Sequence, residues 1–392
     1  MSGDDKTEMT STSPCSNLPS SLVPDMRRPA QLPRRVRHLD QARAAWQRVH
    51  LGKVTLFAAS LFLFVLAITF MKEGARGLVP LVRDRFAVTN LADALGFGWL
   101  FAYTIMSGSP VAATALTLFD AGIIDGLGTF AMITGSRLGA SFIVLFLGFI
   151  YVLRGRDRAT SLEMGLLSLS VTATTYLPGV VLGVAILRTG ALDGVQVRSG
   201  LLLTSVTKWI SDPIVGPVAG QLPSWTVFLI GLGIIIASFG LFDRCLPTMT
   251  IKESQIGRTS QLVYRRWVMF ALGGVVTLVS MSVSVSLSLL VPLGNRGFVR
   301  RENVIPYIMG ANITTFMDTL LAAVLLDNPS AFTIVLAGMC SNALVSSLIL
   351  LTIYAPYRRA MLKSVAWMTA SSHNLAISMS IILIVPLLLM IF

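Results

Sequence analysis

The 392-residue chain is 54% hydrophobic and only 13% charged, and its mean hydropathy is +0.74. These values exclude an ordinary soluble domain and predict an all-α polytopic membrane protein whose first partner is the lipid bilayer. The formal net charge of +12 comes from basic residues that lie between apolar segments, a distribution that indicates membrane topology and argues against a nucleic-acid partner.

The N-terminal region, 1–50, is rich in Ser, Pro and Arg. This composition predicts a disordered basic segment that contacts anionic lipid. The positive-inside rule then places the N-terminus in the cytoplasm, with Val54–Met71 as the first span of the cell membrane. The remaining chain divides into a first transmembrane half, 51–242, a polar link, 243–266, and a second half, 267–392.

Polar and helix-breaking residues interrupt the predicted spans of the first half. Leu95–Gly122 is divided by Ser107-Gly-Ser-Pro110, where Gly and Pro predict two short helices that meet at a break. Thr129–Leu153 carries Gly135 and Gly139 at a predicted broken start. The other predicted spans of this half are Leu162–Leu187, Leu201–Gly220 and Trp225–Phe242.

The second half shows the same type of interruption. Trp267–Leu293 carries serines at alternate positions from Ser280 to Ser288, which within a long apolar segment predict a helix or an unwound turn with a polar wall. A basic loop is expected before the last span. Its residues are Arg358, Arg359 and Lys363, and the other predicted spans are Val304–Leu326, Ala331–Tyr354 and Leu375–Phe392.

An internal repeat relates the two halves. Ser107 and Gly135 are 28 positions apart, as are Ser282 and Gly310, and one offset of 175 residues also superimposes Met106 on Met281. Paired apolar segments that are interrupted by Ser and Gly are typical of transporters, in which broken helices expose polar groups to a solute. The repeats, about 95–150 and 270–350, are therefore expected to carry a duplicated site.

Hydroxyl and amide side chains are the first candidate ligands. The motif serines could coordinate a small cation, donate to an oxyanion, or serve helix packing; they are Ser107, Ser109, Ser282 and Ser284. A re-entrant segment that ends at Gly310 would place the next polar residues at the start of a helix, where anions bind. These residues are Asn312, Thr314 and Thr315.

Two charged residues within the apolar segments are further candidates. Arg137 is expected to bind an anion, to fill a cation position, to pair with Asp120, Asp125 or Asp318, or to extend to the membrane surface. Asp318 is expected about two helical turns beyond Gly310, as a cation ligand or a proton acceptor.

The paired segments resemble the type II sodium/phosphate cotransporter family. The resemblance rests on Met106-Ser-Gly-Ser109, Met281-Ser-Val-Ser284 and Ile305-Pro-Tyr-Ile-Met-Gly-Ala-Asn-Ile-Thr-Thr315, which are similar to the family's Gln-Ser-Ser-Ser signature and its following Gly-x-Asn turn. It implies two inverted repeats with discontinuous helices, whose paired re-entrant helical hairpins bind sodium and phosphate between them. Sodium would then contact Ser107, Ser282, Asn312 and Asp318. Phosphate would contact the four motif serines, Arg137, Asn312, Thr314 and Thr315, so that three residues would serve both solutes.

The resemblance implies a secondary active transporter without enzymatic activity or a cofactor other than the coupling sodium. Met106 and Met281 stand in the signature glutamine positions, and Arg137 stands in the first asparagine position. These departures motivate the alternative of a transport-incompetent membrane scaffold or sensor with the same fold. His-Glu-x-x-His and P-loop motifs are absent from the sequence, and the oligomeric state, including a homo-oligomer, stays open.

Overall fold

The computed structural model describes residues 51–75, 77, 90–153, 158–195, 197, 211, 213–245, 265–291, 301–326 and 328–391. Nearly all of these residues are helical, and no strand occurs among them. The predicted N-terminal region, 1–50, and most of the predicted Leu201–Gly220 span lie outside the described residues.

The described residues of the first half form the following labelled helices. They are α1 (Leu51–Ala75), α2 (Leu91–Ile105), α3 (Ser109–Asp120), α4 (Gly126–Ala140), α5 (Phe142–Leu153), α6 (Arg158–Thr189) and α7 (Ser224–Cys245). Residues 213–221 are also helical. Because α7 continues to Cys245, the link between the halves begins later than the predicted boundary at 243.

The second half contains α8 (Arg266–Ser280), α9 (Val283–Ser288), α10 (Arg301–Thr314), α11 (Met317–Leu325), α12 (Pro329–Leu348), α13 (Tyr354–Ala370) and α14 (Ser372–Leu389). A π-helical turn, Ile349–Ile353, joins α12 to α13 without a loop. The expected basic loop is therefore wrong, because Arg358, Arg359 and Lys363 lie within α13. Their charges had suggested a loop, but long basic side chains are good helix formers.

The described part of the chain contains helices that are long and apolar enough to cross a membrane. There are seven such candidates among the described residues: Thr55–Ala75, Gly126–Ile150, Leu162–Thr189, Ser224–Phe242, Arg301–Leu325, Pro329–Ala370 and Ser372–Leu389. Large apolar side chains stay exposed on several of them, including Phe57, Val181 and Leu351. The all-α architecture and the membrane-spanning lengths agree with the sequence prediction.

Local capping explains where several helices begin. Asn90 accepts hydrogen bonds from the backbone N–H groups of Ala92 and Asp93, and the Asp93 carboxylate accepts one from the Asn90 N–H, which forms a capping box at the start of α2. Asp125 caps α4 through the Gly128 N–H, and Asn328 caps α12 ahead of Pro329. These caps satisfy backbone donors that would otherwise lack partners.

The two predicted helix breaks are present, and the same unusual backbone forms both. α2 ends at Met106, with φ of 57°, and α8 ends at Met281, with φ of 45°. Among the described residues these are the only non-glycine residues with positive φ. Methionine in this conformation costs about 1–2 kcal/mol, so the surrounding packing must hold each break in place.

Helix boundaries recur at the offset found in the sequence. The bounds of α2 and α8 differ by 175 residues at both ends, as do the starts of α4 and α10 and the starts of α5 and α11. The combined helical segments Gly126–Ile150 and Arg301–Leu325 are related by the same offset. The sequence repeat is therefore also a repeat of helix positions.

Glycines pack the central helix pair of each repeat in the same way. A Cβ atom on Gly98 of α2 would lie 2.2 Å from the Met132 carbonyl oxygen of α4, and one on Gly273 of α8 would lie 2.0 Å from the Tyr307 oxygen of α10. The second close contact of each pair is also equivalent. A Cβ atom on Gly135 would lie 2.0 Å from the Leu95 carbonyl oxygen, and one on Gly310 would lie 2.0 Å from the Phe270 carbonyl oxygen. Only glycine allows the two backbones to approach this closely.

These contacts correct two predictions about the Gly-containing segments. Gly135 and Gly310 do not break a helix, since α4 and α10 continue through them to Ala140 and Thr314. Asn312 and Thr314 therefore lie in the last turn of α10, and the expectation that they begin a helix is wrong. Asp318 lies in the first turn of α11 and not two turns into a helix.

Candidate functional site

Arg137 and Asp318 form a buried ion pair between the two repeats. Arg137 projects from α4 and Asp318 from α11, and their Nη2 and Oδ1 atoms are 2.7 Å apart. The side chains are only 1% and 3% exposed, respectively. Of the three pairings predicted for Arg137, the one with Asp318, 181 positions away in the chain, is therefore the one that forms.

Three hydroxyl groups complete this group of residues, which we call the Arg137 cluster: Ser109, Arg137, Thr315, Asp318 and Thr319. Arg137 Nη1 donates to Ser109 Oγ at 3.4 Å and to Thr315 Oγ1 at 3.2 Å, and Nη2 also donates to Thr319 Oγ1. The Ser109 hydroxyl donates to Asp318 Oδ2, and the Thr319 hydroxyl donates to Oδ1 at 2.8 Å. Both carboxylate oxygens are thus hydrogen-bonded.

The helix termini around the cluster match its charges. Thr315 follows the C-terminus of α10, where the helix dipole is negative and favours the Arg137 cation. Asp318 lies in the first turn of α11, where the dipole is positive and favours a carboxylate. The junction between α10 and α11 therefore stabilises both members of the ion pair.

Aromatic rings close one side of the cluster. The Arg137 guanidinium carbon lies 5.5 Å from the centroid of the Phe316 ring, within the range of a cation–π interaction. The Tyr176 ring of α6 lies 6.0 Å from Phe316, and its hydroxyl donates to the Asn312 carbonyl at 2.7 Å. Arg137 Nε is buried and has no hydrogen-bond partner among the described residues. The guanidinium therefore retains one free donor.

The geometry decides between the alternatives for Arg137. It pairs with Asp318 and does not reach the surface. Asp120 instead pairs with Lys72 at 2.7 Å, and Asp125 accepts the hydrogen bond that caps α4. Removing either partner of a buried pair leaves an unpaired charge, which costs about 3–5 kcal/mol.

The corresponding position in the second repeat has different contacts. Asn312 occupies the position equivalent to Arg137, but its Nδ2 donates to Thr172 Oγ1 of α6 at 3.1 Å. The Thr314 hydroxyl donates to the Gly274 carbonyl of α8 at 2.9 Å. Neither side chain has a hydrogen bond to a member of the Arg137 cluster among the described residues, so the two repeats present unequal sites.

The predicted serines also differ in their positions. Ser109 belongs to the Arg137 cluster, whereas Ser282 caps α9 by accepting a hydrogen bond from the Val285 N–H at 3.3 Å. Ser107 and Ser284 are half-buried, and no side-chain hydrogen bond of either is found among the described residues.

Three residues at the site were not predicted from the sequence: Thr319, Phe316 and Tyr176. In the sequence they stand out only as neighbours of Asp318 or as members of an apolar segment. The structure thus brings together Ser109, Arg137, Thr315 and Asp318 of the predicted site residues.

A small cavity borders Asp318. Its volume is about 60 Å³, and it lies between α1, α7, the Met281 break and α11. Four of its lining residues are phenylalanines: Phe57, Phe64, Phe239 and Phe242. Ser60 and Ser238 also line it, and the Ser238 hydroxyl donates to the Ser60 carbonyl at 2.7 Å. The surface inside this cavity is apolar, so the polar atoms of these two serines and of Asp318 are not exposed to it.

A larger cavity, of about 520 Å³, lies near the ends of α3 and α6 and the starts of α4 and α12. Asp125, Arg188 and Asp193 line it, together with apolar residues and two hydroxyls, but no member of the Arg137 cluster does. In the part of the chain that the structure describes, no group of three or more His, Cys, Asp or Glu residues could hold a metal ion.

Comparisons of the chain with known protein families, with curated proteins and with solved structures find no match. The cluster, the helix breaks and the sequence repeat are therefore the features of the molecule that point to a function.

Proposed function

We propose that the protein is a secondary active transporter that carries inorganic phosphate or a related small anion across the cell membrane by alternating access. The observation that carries this proposal is the buried Arg137–Asp318 pair at the junction of the two repeats. A permanent cation inside a membrane protein is costly, and such residues commonly line a solute or ion pathway. The resemblance noted in the sequence adds phosphate as the substrate and sodium as the coupling ion.

Arginine is suited to binding an oxyanion because its planar guanidinium presents several donors in a fixed geometry. The unpartnered Nε of Arg137 is one such donor. The remaining N–H donors of Arg137 bind Asp318 and three hydroxyl groups. A phosphate group could take the place of these groups as the hydrogen-bond acceptor. Anion binding then exchanges one negative partner of Arg137 for another.

The repeated helix breaks support alternating access. Broken helices allow backbone and side-chain groups to reach a solute within the membrane, and paired repeats allow one half to rock against the other. In this proposal the repeats have inverted orientations, the segments around Met106 and Met281 form re-entrant hairpins, and the N-terminus is cytoplasmic. Sodium would bind near Ser107, Ser282, Asn312 and Asp318, and the negative end of α10 beside Asn312 favours a cation there.

Phosphate uptake into proteoliposomes tests the proposal. We expect the purified full-length protein to take up phosphate, faster with an inward sodium gradient, and we expect Arg137→Gln to abolish uptake. Arg359→Gln is the matched control, since it removes an exposed arginine from α13. Absence of phosphate uptake by the wild-type protein, with and without sodium, would contradict the proposal.

A membrane scaffold or sensor is the second candidate. Arg137 already forms an ion pair with Asp318, and methionines stand in both signature glutamine positions. Deleting residues 1–50 separates the two functions. A transporter should keep most of its phosphate flux after this deletion, whereas a scaffold that acts through the basic N-terminal region should lose its partner or its membrane role.

A further inference from the structure

The proposed anion site has an electrostatic requirement that concerns Asp318. An anion that binds Arg137 enters a buried position within a few ångströms of the Asp318 carboxylate. Two negative charges beside one guanidinium would leave a net buried charge, which is strongly unfavourable in a low-dielectric interior. The site stays neutral if Asp318 is protonated when the anion binds.

We propose that Asp318 takes up one proton for each anion that Arg137 binds, so that a proton is a co-substrate at this site. This inference rests on the proposed transport function. The carboxylate and a proton form a carboxylic acid, a monoanion such as dihydrogen phosphate takes its place on the guanidinium, and the site has zero net charge before and after. Release of the anion on the other side returns the proton and restores the ion pair.

The hydrogen bonds around Asp318 are compatible with both protonation states. The Ser109 hydroxyl accepts from Arg137 Nη1 and donates to Asp318 Oδ2. A hydroxyl can donate or accept, so the same oxygen can accept the new carboxylic proton and turn its own hydrogen towards the anion. The Thr319 hydroxyl, which donates to Oδ1, has the same freedom. Protonation therefore leaves no donor of these residues without an acceptor.

The other ionisable groups around Asp318 are few in the described structure. α11 packs against α3 and α12. The ionisable side chains of these helices are Asp120, at the far end of α3 from Ser109 and paired with Lys72, and Cys340 of α12. Tyr176 of α6 lies behind Phe316, and Arg137 is the direct partner. Asp318 is thus the one carboxylate in the Arg137 cluster.

Proteoliposomes without sodium provide the test. A pH difference of one unit, acidic outside, should drive accumulation of the dihydrogen phosphate monoanion of up to about tenfold, since one proton per monoanion transfers the whole gradient. A protonophore should abolish this accumulation, and phosphate addition should acidify the lumen, as followed with an entrapped pH dye.

Asp318→Asn imitates the permanently protonated acid. We expect this variant to exchange labelled for unlabelled phosphate at equilibrium but to lose accumulation driven by the pH difference. Asp193→Asn, which changes an exposed carboxylate outside the cluster, should retain both activities. If Asp318→Asn does not insert correctly, Asp318→Glu keeps an ionisable carboxyl and should retain proton-driven accumulation.

Equilibrium exchange separates the two proposals. Wild-type phosphate exchange without pH-driven accumulation or luminal acidification overturns proton coupling and leaves the transport function intact. Accumulation that requires sodium and ignores pH has the same consequence. Absence of exchange by the wild-type protein contradicts the transport function, and proton coupling with it.

Discussion

Arg137 and Asp318 each lower the energetic cost of burying the other's charge. Each is almost fully buried, and each supplies the charge that neutralises the other. The three neighbouring hydroxyls share the hydrogen bonds of the pair, so the cluster is well satisfied apart from Arg137 Nε. Such pairs contribute little net stability relative to apolar residues of similar volume, so stability alone does not account for this pair.

A double-mutant cycle on this pair separates stability from function. Arg137→Met and Asp318→Leu should each lower the free energy of unfolding by about 3–5 kcal/mol, because each leaves one charge buried and unpaired. The double variant should recover most of this loss but show no transport. Thermal unfolding in detergent measures the first effect, and phosphate exchange measures the second. Wild-type stability in both single variants would show that the ion pair does not form.

The sequence indicated the members of the pair but could not show that they meet. A charge in a Gly-containing apolar segment requires a partner or a cavity, and this requirement identified Arg137 as important. The partner lies in the other repeat, and Asp120, Asp125 and Asp318 were equally acceptable by composition. Only the packing of α3, α4 and α11 distinguishes them, and that packing depends on contacts far apart in the chain.

At the level of helices, glycine has two different roles that sequence reasoning treated as one. Gly108 lies at a true break between α2 and α3, as predicted. Gly135 and Gly310 instead lie inside helices, where they let two backbones approach closely. The two roles were hard to distinguish because glycine both weakens helices and permits tight packing between them. Because α10 continues through Gly310, Asn312 and Thr314 lie at the end of this helix and not at the predicted start of the next one.

Alanine substitutions distinguish these roles. Gly310→Ala should lower the free energy of unfolding by several kcal/mol, because the new Cβ would lie 2.0 Å from the Phe270 carbonyl oxygen and force α8 and α10 apart. Gly135→Ala should have a comparable effect on α2 and α4. Gly233→Ala in α7 is the matched control: its Cβ would meet no atom within 4 Å, and alanine should stabilise the helix by up to about 1 kcal/mol. Equal thermal stability of all three variants would contradict the packing role.

At the level of the whole molecule, α6 of the first half packs against α12 of the second half, and α12 carries buried polar groups that lack partners in the described structure. The close neighbours Gly179 of α6 and Asn342 of α12 mark this contact. The two polar side-chain atoms of Asn342, Nδ2 and Oδ1, are buried without a hydrogen-bond partner in the described structure. The hydroxyl of Ser346, one helical turn later, is in the same situation. Buried polar groups without partners weaken an interface, and an interface that is weak in one state is suited to a protein whose halves move.

Asn342→Leu therefore should make the protein more stable and less active. Leucine removes two unsatisfied polar atoms at a similar volume, which should raise the free energy of unfolding by about 1–3 kcal/mol. A tighter α6–α12 contact should slow phosphate exchange, because alternating access requires the halves to separate in part. Ser341→Ala is the control: the Ser341 hydroxyl already donates to the Gly338 carbonyl, so its loss should slightly lower stability without slowing exchange. Thermal unfolding in detergent and equilibrium exchange in proteoliposomes measure the two effects, and a stabilised Asn342→Leu variant with wild-type exchange would show that this interface does not open during transport.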